Sequence, residues 1–217
     1  MTSAYKRGRY SPKEERINVL SHALGLVLSI SGLFLLCFRA SGALELVSVS
    51  VFALSLIALY ASSTVYHSTT DDAFRARLRT VDHAMIYVLI AGTYTPFSLL
   101  ILQGKTGWVI FAISWSMAAI GILLKLFYTG RYDKISTAMY VFMGWVIVFA
   151  IKPLSENFSG EGLLWLLAGG VSYTVGALFY SISKLPFGHA TFHIFVLIGS
   201  ACHFITVYFF VLAPMSS

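Results

Sequence analysis

Charge is scarce in this chain: Asp, Glu, Lys and Arg make up 11% of its 217 residues, against about 25% in an ordinary soluble domain. Cysteine is scarcer still, with only Cys37 and Cys202, each inside an apolar run. No CxxC pair and no secreted cysteine pattern occur, which excludes a disulfide scaffold and reads both residues as buried free thiols. No small-residue cleavage site follows the first apolar stretch, so the polar, basic opening MTSAYKRGRYSPKEER is not read as a cleavable signal peptide. There is no convincing internal repeat, and the connecting segments are too short to hold a second, soluble domain. The net charge of +6 sits in short loops, which argues against a nucleic-acid surface.

What fills the chain is hydrophobic sequence, at 58% of residues and a mean hydropathy of +0.80. A helix needs about 20 apolar residues to cross a bilayer core. Seven segments are candidates: 19–38, 44–66, 82–102, 107–128, 135–151, 163–182 and 189–212. They are divided by RASGA, STTDDAFRARLRT, LQGKTG, YTGRYDK, KPLSENFSGEG and KLPFG, which carry Gly, Pro or charge as breakers do. The expected fold is all-α: one polytopic bundle of seven transmembrane helices spanning 1–217, with residues 1–16 as a polar N-terminal segment.

Orientation follows from the basic residues. Alternating the loops puts Lys6, Arg7, Arg9, Lys13, Arg16, Arg75, Arg77, Arg79, Lys125, Arg131, Lys134 and Lys184 on one side. Arg39, Lys105 and Lys152 fall on the other. Twelve against three predicts a cytoplasmic N-terminus and, after seven spans, a C-terminus outside.

That topology sorts the histidines by depth. His22 opens span one, His67 closes span two, Asp82 and His83 open span three, and His189 and His193 open span seven. Five of the six histidines thus share the cytoplasmic leaflet while coming from four helices. His203 lies ten residues beyond His193, about 15 Å further along a helix, and is expected to make a helix–helix hydrogen bond instead. Ionisable groups inside a membrane span are costly and mark function. His189 and His193 are one helical turn apart, a recurring ligand spacing, and with His67 they form a triple suited to zinc; the alternative reading is buried histidines that each satisfy only a neighbour's carbonyl. Three protein ligands leave a position for water, whose pKa zinc lowers to about 7. Asp82 can hydrogen-bond or deprotonate that water; its alternative reading is an acidic residue favoured by the helix macrodipole. Ser63, one turn before His67, can support a ligand or bind substrate. His83 is expected to pack beside the site rather than ligate.

The remaining polar residues have plainer expectations. Glu14, Glu15, Arg16 and Asn18 read as a solvated, capped helix start. Lys125 is expected to snorkel to the cytoplasmic surface. Tyr94 and Pro96 are expected to bend span three and shape a cavity.

At these residues the sequence resembles a known family. EERINVLSHALG (14–25), SSTVYHS (62–68), VDHAMIYVLIAGTYTPF (81–97) and HATFHIFVLIGSACHF (189–204) are similar to the hemolysin III family of bacterial membrane proteins. That family belongs to the progestin and adipoQ receptor superfamily, which includes the adiponectin receptors. The resemblance runs from about residue 12 to 212. It implies a multi-pass protein of the bacterial cell membrane, with seven helices holding Zn2+ near the cytoplasmic face. It matches His67, His189 and His193 to the zinc ligands, and Asp82 and Ser63 to the family's aspartate and serine. Asp82 is followed here by histidine, where the receptor branch carries tyrosine.

Three functions stand open at this point. One is a zinc-dependent hydrolase of a lipid amide or ester, with membrane lipids as partners and Asp82 and Ser63 as catalytic groups. The second is a membrane-homeostasis or receptor-like protein in which zinc is structural. The third is a cytolysin, as the family name suggests, although an apolar chain of this kind is unlike secreted pore formers.

Overall fold

The computed structural model describes residues 10–182 and 184–212, so residues 1–9 of the polar segment, with Lys6, Arg7 and Arg9, lie outside the described residues. Seven helical spans long and apolar enough to cross a membrane follow one another, as expected. They are α1 (Pro12–Arg39), α2 (Ala43–Ser68), α3 (Asp72–Pro96, continued by a π-helix at Phe97–Leu102), α4 (Gly104–Tyr128), α5 (Asp133–Gly144, continued by a 3-10 turn at Val146–Ala150 and by α6, Ile151–Asn157), α7 (Gly160–Ser181) and α8 (Gly188–Thr206, with a π-helix at Val207–Val211).

Two helices begin well before the apolar runs that announce them. Ser11 caps α1 by accepting the Glu14 N–H at 3.2 Å, and Pro12 occupies the first turn, where its missing donor is harmless. Asp71 caps α3 by accepting the Phe74 N–H at 2.7 Å, so most of the expected loop STTDDAFRARLRT is helix. Hydropathy marks where a helix is in lipid, whereas caps mark where it starts. Those extra turns carry Glu15 and Arg75 to the end of the bundle where the histidines lie. The fifth span likewise runs on to Asn157, past the expected end at 151.

The bundle is inside-out relative to a soluble protein. On α1 the buried stripe is Asn18, His22, Gly25, Ser29, Gly32 and Leu36, while Leu20, Leu24, Val27, Phe34 and Phe38 face outward. Lipid is as apolar as leucine, so close approach through small and polar residues drives association. Gly25 admits the Tyr60 ring of α2 and Gly32 admits Phe204 of α8. Span three sits centrally and is the most enclosed.

The break in span five is repaired from α3. Tyr94 donates its hydroxyl to the carbonyls of Met143 (3.0 Å) and Gly144 (2.9 Å) and accepts the Ile147 N–H at 2.9 Å. Backbone freed by an interrupted helix inside a membrane must find such a partner. Tyr94 also contributes to the cavity wall, as expected, whereas Pro96 does not line it.

Three expectations are corrected. Lys125 does not snorkel: it is 2% exposed and pairs with Asp133 at 3.4 Å, a carboxylate that also takes Arg79 at 2.7 Å. A counter-ion at the start of α5 removes its need to reach water. Cys202 is buried and free, but Cys37 is only half-buried, 3.5 Å from Ser50 Oγ. His203 is buried against Gly169 and the Tyr173 ring, and its Nδ1 has no hydrogen-bond partner among the described residues.

Gly107 has the tightest backbone contact. A Cβ there would lie 2.1 Å from the Ser98 carbonyl, which accepts the Gln103 N–H at 3.1 Å to close the π-turn. Backbone cannot swing aside as a side chain can, so Gly107→Ala is expected to destabilise by about 2–3 kcal/mol, in the range of core overpacking. Thermal unfolding in detergent measures it; an unchanged midpoint contradicts the contact.

Candidate metal centre

The last turn of α2 and the first two turns of α8 meet at one end of the bundle. His67, His189 and His193 are all buried there, each offering a nitrogen within 4.8 Å of the others. The three Nε2 atoms point at one another, with His189 Nε2 lying 3.1 Å from that of His67 and 2.9 Å from that of His193. Tetrahedral ligands about 2.0–2.1 Å from zinc stand about 3.3 Å apart, so the group needs little movement to accept an ion.

Surrounding groups decide which way the lone pairs face. His67 Nδ1 lies 2.7 Å from Glu15 Oε2, and His193 Nδ1 lies 3.3 Å from the Asn18 carbonyl. Glu15 and the Asn18 carbonyl can only accept, and these are the nearer partners: Asn18 Nδ2 and Ser21 Oγ stand further off, each at 3.4 Å from His67 Nδ1 and His193 Nδ1 respectively. A proton on each Nδ1 satisfies them and turns an Nε2 lone pair of both rings inward. His189 Nδ1 has no partner among the described residues. Nε2 lone pairs gathered at one point are a donor set that fits a metal.

Glu15 does more than orient His67. Its other oxygen pairs with Arg75, whose guanidinium also donates to the carbonyls of Tyr66 (3.1 Å) and Thr69 (3.1 Å) at the C-terminal end of α2. One carboxylate thus ties α1, α2 and α3 together beneath the histidines. Tyr10 covers the site, with its ring stacked on His189 at 4.4 Å and its N–H 3.4 Å from Glu15 Oε1. Burial in this position pushes the Tyr10 phenol well above its usual range.

The expectation of a solvated helix start is therefore wrong for Glu14, Glu15 and Asn18. Glu14 is buried, Asn18 is fully enclosed with Nδ2 3.4 Å from His67 Nδ1, and Glu15 is drawn to His67 and Arg75. The signal was in the spacing: Glu15, Asn18 and His22 are separated by three and four residues and share one helical face.

Asp82 lies outside the three-histidine group, with Oδ2 3.4 Å from His83 Nδ1. His83 packs beside the site, as expected, with Nε2 3.3 Å from the Tyr180 hydroxyl. Asp82, Ser63, His189 and His193 all line a cavity of about 320 Å³. Ser63 Oγ is buried with no hydrogen-bond partner among the described residues. The cavity walls are otherwise largely apolar, and toward the far end they include Val148, Ile151, Leu164 and Leu167, whose side chains are exposed on the lipid-facing surface between the fifth span and α7.

Residues 10–204 match the family model described as haemolysin-III related. The chain is 45% identical to "Hemolysin-3" of Bacillus cereus over the whole of both chains. It is 45% identical to "Hemolysin-3 homolog" of Bacillus subtilis over 93% of this chain and 96% of that one. A more distant likeness, 29% over 93% of this chain and 87% of the other, joins it to the human "Monocyte to macrophage differentiation factor". With seven apolar helices and a family match over most of its length, this chain belongs to the haemolysin III family of multi-pass membrane proteins.

Proposed function

We propose that this protein is a zinc-dependent hydrolase of lipid amides or esters in the bacterial plasma membrane, serving membrane homeostasis. The observation that carries the reading is the cavity: an apolar, acyl-sized space that reaches the three-histidine group, with Asp82 and a Ser63 hydroxyl that has no partner among the described residues on its wall. A purely structural zinc site is closed by four protein ligands. Here three nitrogens form the group, and space lies beside them. That arrangement favours hydrolysis over a structural role.

The roles divide by chemistry. His67, His189 and His193 would hold the zinc, which would supply an acidified water and polarise a carbonyl. Asp82 accepts the proton released by the attacking water and returns it to the departing amine or alkoxide. Ser63 donates its hydroxyl to the developing oxyanion. The apolar walls take the acyl chain, and their exposed far end supports loading from the bilayer. The excess of Lys and Arg at the histidine end supports placing that end, with the N-terminus, in the cytoplasm.

Purified protein incubated with a panel of N-acyl and O-acyl lipids is expected to release fatty acid, and to stop when zinc is chelated. Ser63→Ala is expected to lower turnover about tenfold with zinc retained, a loss typical of one weak donor. Absence of turnover across the panel in zinc-loaded protein rejects the reading. Glu15→Gln tests the support of His67: zinc affinity is expected to fall about 10–100-fold, measured by competition with a chelating dye.

A further inference from the structure

His22 takes no part in the arrangement described so far, yet it faces the same space. Its ring is 2% exposed, lies flat on His193 at 3.5 Å between centroids and 10° between planes, and lines the cavity. The Tyr60 ring stands nearly perpendicular to it, with centroids 5.0 Å apart. Both contacts fix the plane of the imidazole. Neither Nδ1 nor Nε2 has a hydrogen-bond partner among the described residues. An imidazole always carries at least one N–H, and a buried donor left unpaired is costly. The donor is therefore held ready for something that enters the cavity.

Ser63 stands opposite. Across the antiparallel α1–α2 pair, Asn18 meets His67 and Gly25 meets Tyr60. The register between those two contacts sets His22 level with Ser63, whose hydroxyl is also buried, on the cavity wall and unpaired among the described residues. Two donors on adjacent helices thus line one cavity, and no acceptor among the described residues answers them. A carbonyl oxygen, with two lone pairs and no proton, is the group such a pair recognises. The apolar remainder of the cavity selects a long hydrocarbon chain attached to that carbonyl.

We propose that His22 is a substrate-binding residue, whose ring N–H and the Ser63 hydroxyl together hold the carbonyl oxygen of an acyl lipid beside His189 and His193. The inference rests on the hydrolase reading for its substrate class, but its test does not require turnover. Zinc-stripped full-length protein in nanodiscs is titrated with oleamide, and with 1-octadecene as a chain of the same length lacking the carbonyl. His22→Phe keeps the stacked ring and removes the donor. It is expected to weaken oleamide binding roughly tenfold, as loss of one buried hydrogen bond does, and to leave 1-octadecene unaffected. His22→Gln, which restores a donor, is expected to bind oleamide within about threefold of wild type. Equal oleamide binding by wild type and His22→Phe overturns the proposal, as does absence of oleamide binding by the wild type. Loss of zinc uptake and thermal stability in both variants also overturns it, assigning His22 to support of His193. If oleamide binding depends on His22 in a protein that hydrolyses nothing, the reaction is rejected and the binding site stands. Turnover that ignores His22 has the opposite meaning.

Discussion

His67→Ala is expected to strip the protein of zinc, from about one ion per chain to a level set by an affinity at least about a thousandfold weaker. Removing a neighbour of a zinc ligand already costs about 10–100-fold, and removing a ligand itself costs more. The effect is large here because the site has few substitutes. Among the described residues only three nitrogens form the group, Asp82 lies outside it, and Cys37 and Cys202 take no part in it. Metal content of the purified variant, measured by mass spectrometry, checks this directly. His203→Ala is the control: it removes a buried imidazole that lies outside the group and should leave zinc at the wild-type level. A ligand that binds only the folded state raises its stability. Chelation should therefore lower the melting temperature of the wild type and leave that of His67→Ala unmoved. Equal zinc in wild type and His67→Ala rejects the site.

Asp82→Asn is expected to keep the zinc and lower lipid hydrolysis by about 10²–10⁴-fold, the usual worth of a positioned proton acceptor. The amide has the size of the carboxylate and keeps an oxygen to face His83 Nδ1, 3.4 Å away. What it loses is the ability to take a proton from an attacking water. Turnover at saturating substrate, together with zinc content and melting temperature, separates this role from a structural one. A structural aspartate predicts lost stability or lost metal with turnover per zinc unchanged. Turnover within about threefold of wild type, at full zinc content, removes Asp82 from the reaction.

Glu15 and Arg75 show where reading along the chain stops. Both sit in stretches whose polarity marks them as lying outside the hydrocarbon, and for that reason they read as solvated. In the structure α1 and α3 begin earlier than their apolar runs, and these polar turns fold inward over the histidines. The helical spacing of Glu15, Asn18 and His22 was visible, but the partner that their face would meet was not. Lys125 carries the same lesson. A long cationic side chain near a span end has two outcomes, water or a counter-ion, and only the placement of Asp133 on the next span selects between them.

By itself the sequence determined seven spans, because lipid imposes a length and polarity that a linear pattern records without reference to any neighbour. It also determined which histidines could meet, since alternating topology assigns each residue a depth and placed His67, Asp82, His189 and His193 at one level. Only the tertiary structure decided how they meet. Rotation of each helix about its axis, set by small residues such as Gly25 and Gly32, turns the Nε2 atoms to a common centre and leaves Asp82 to the side. It also decided that His22 and Ser63 reach the cavity without hydrogen-bond partners among the described residues, because hydrogen bonding between helices depends on register and distance, which no spacing within one helix encodes.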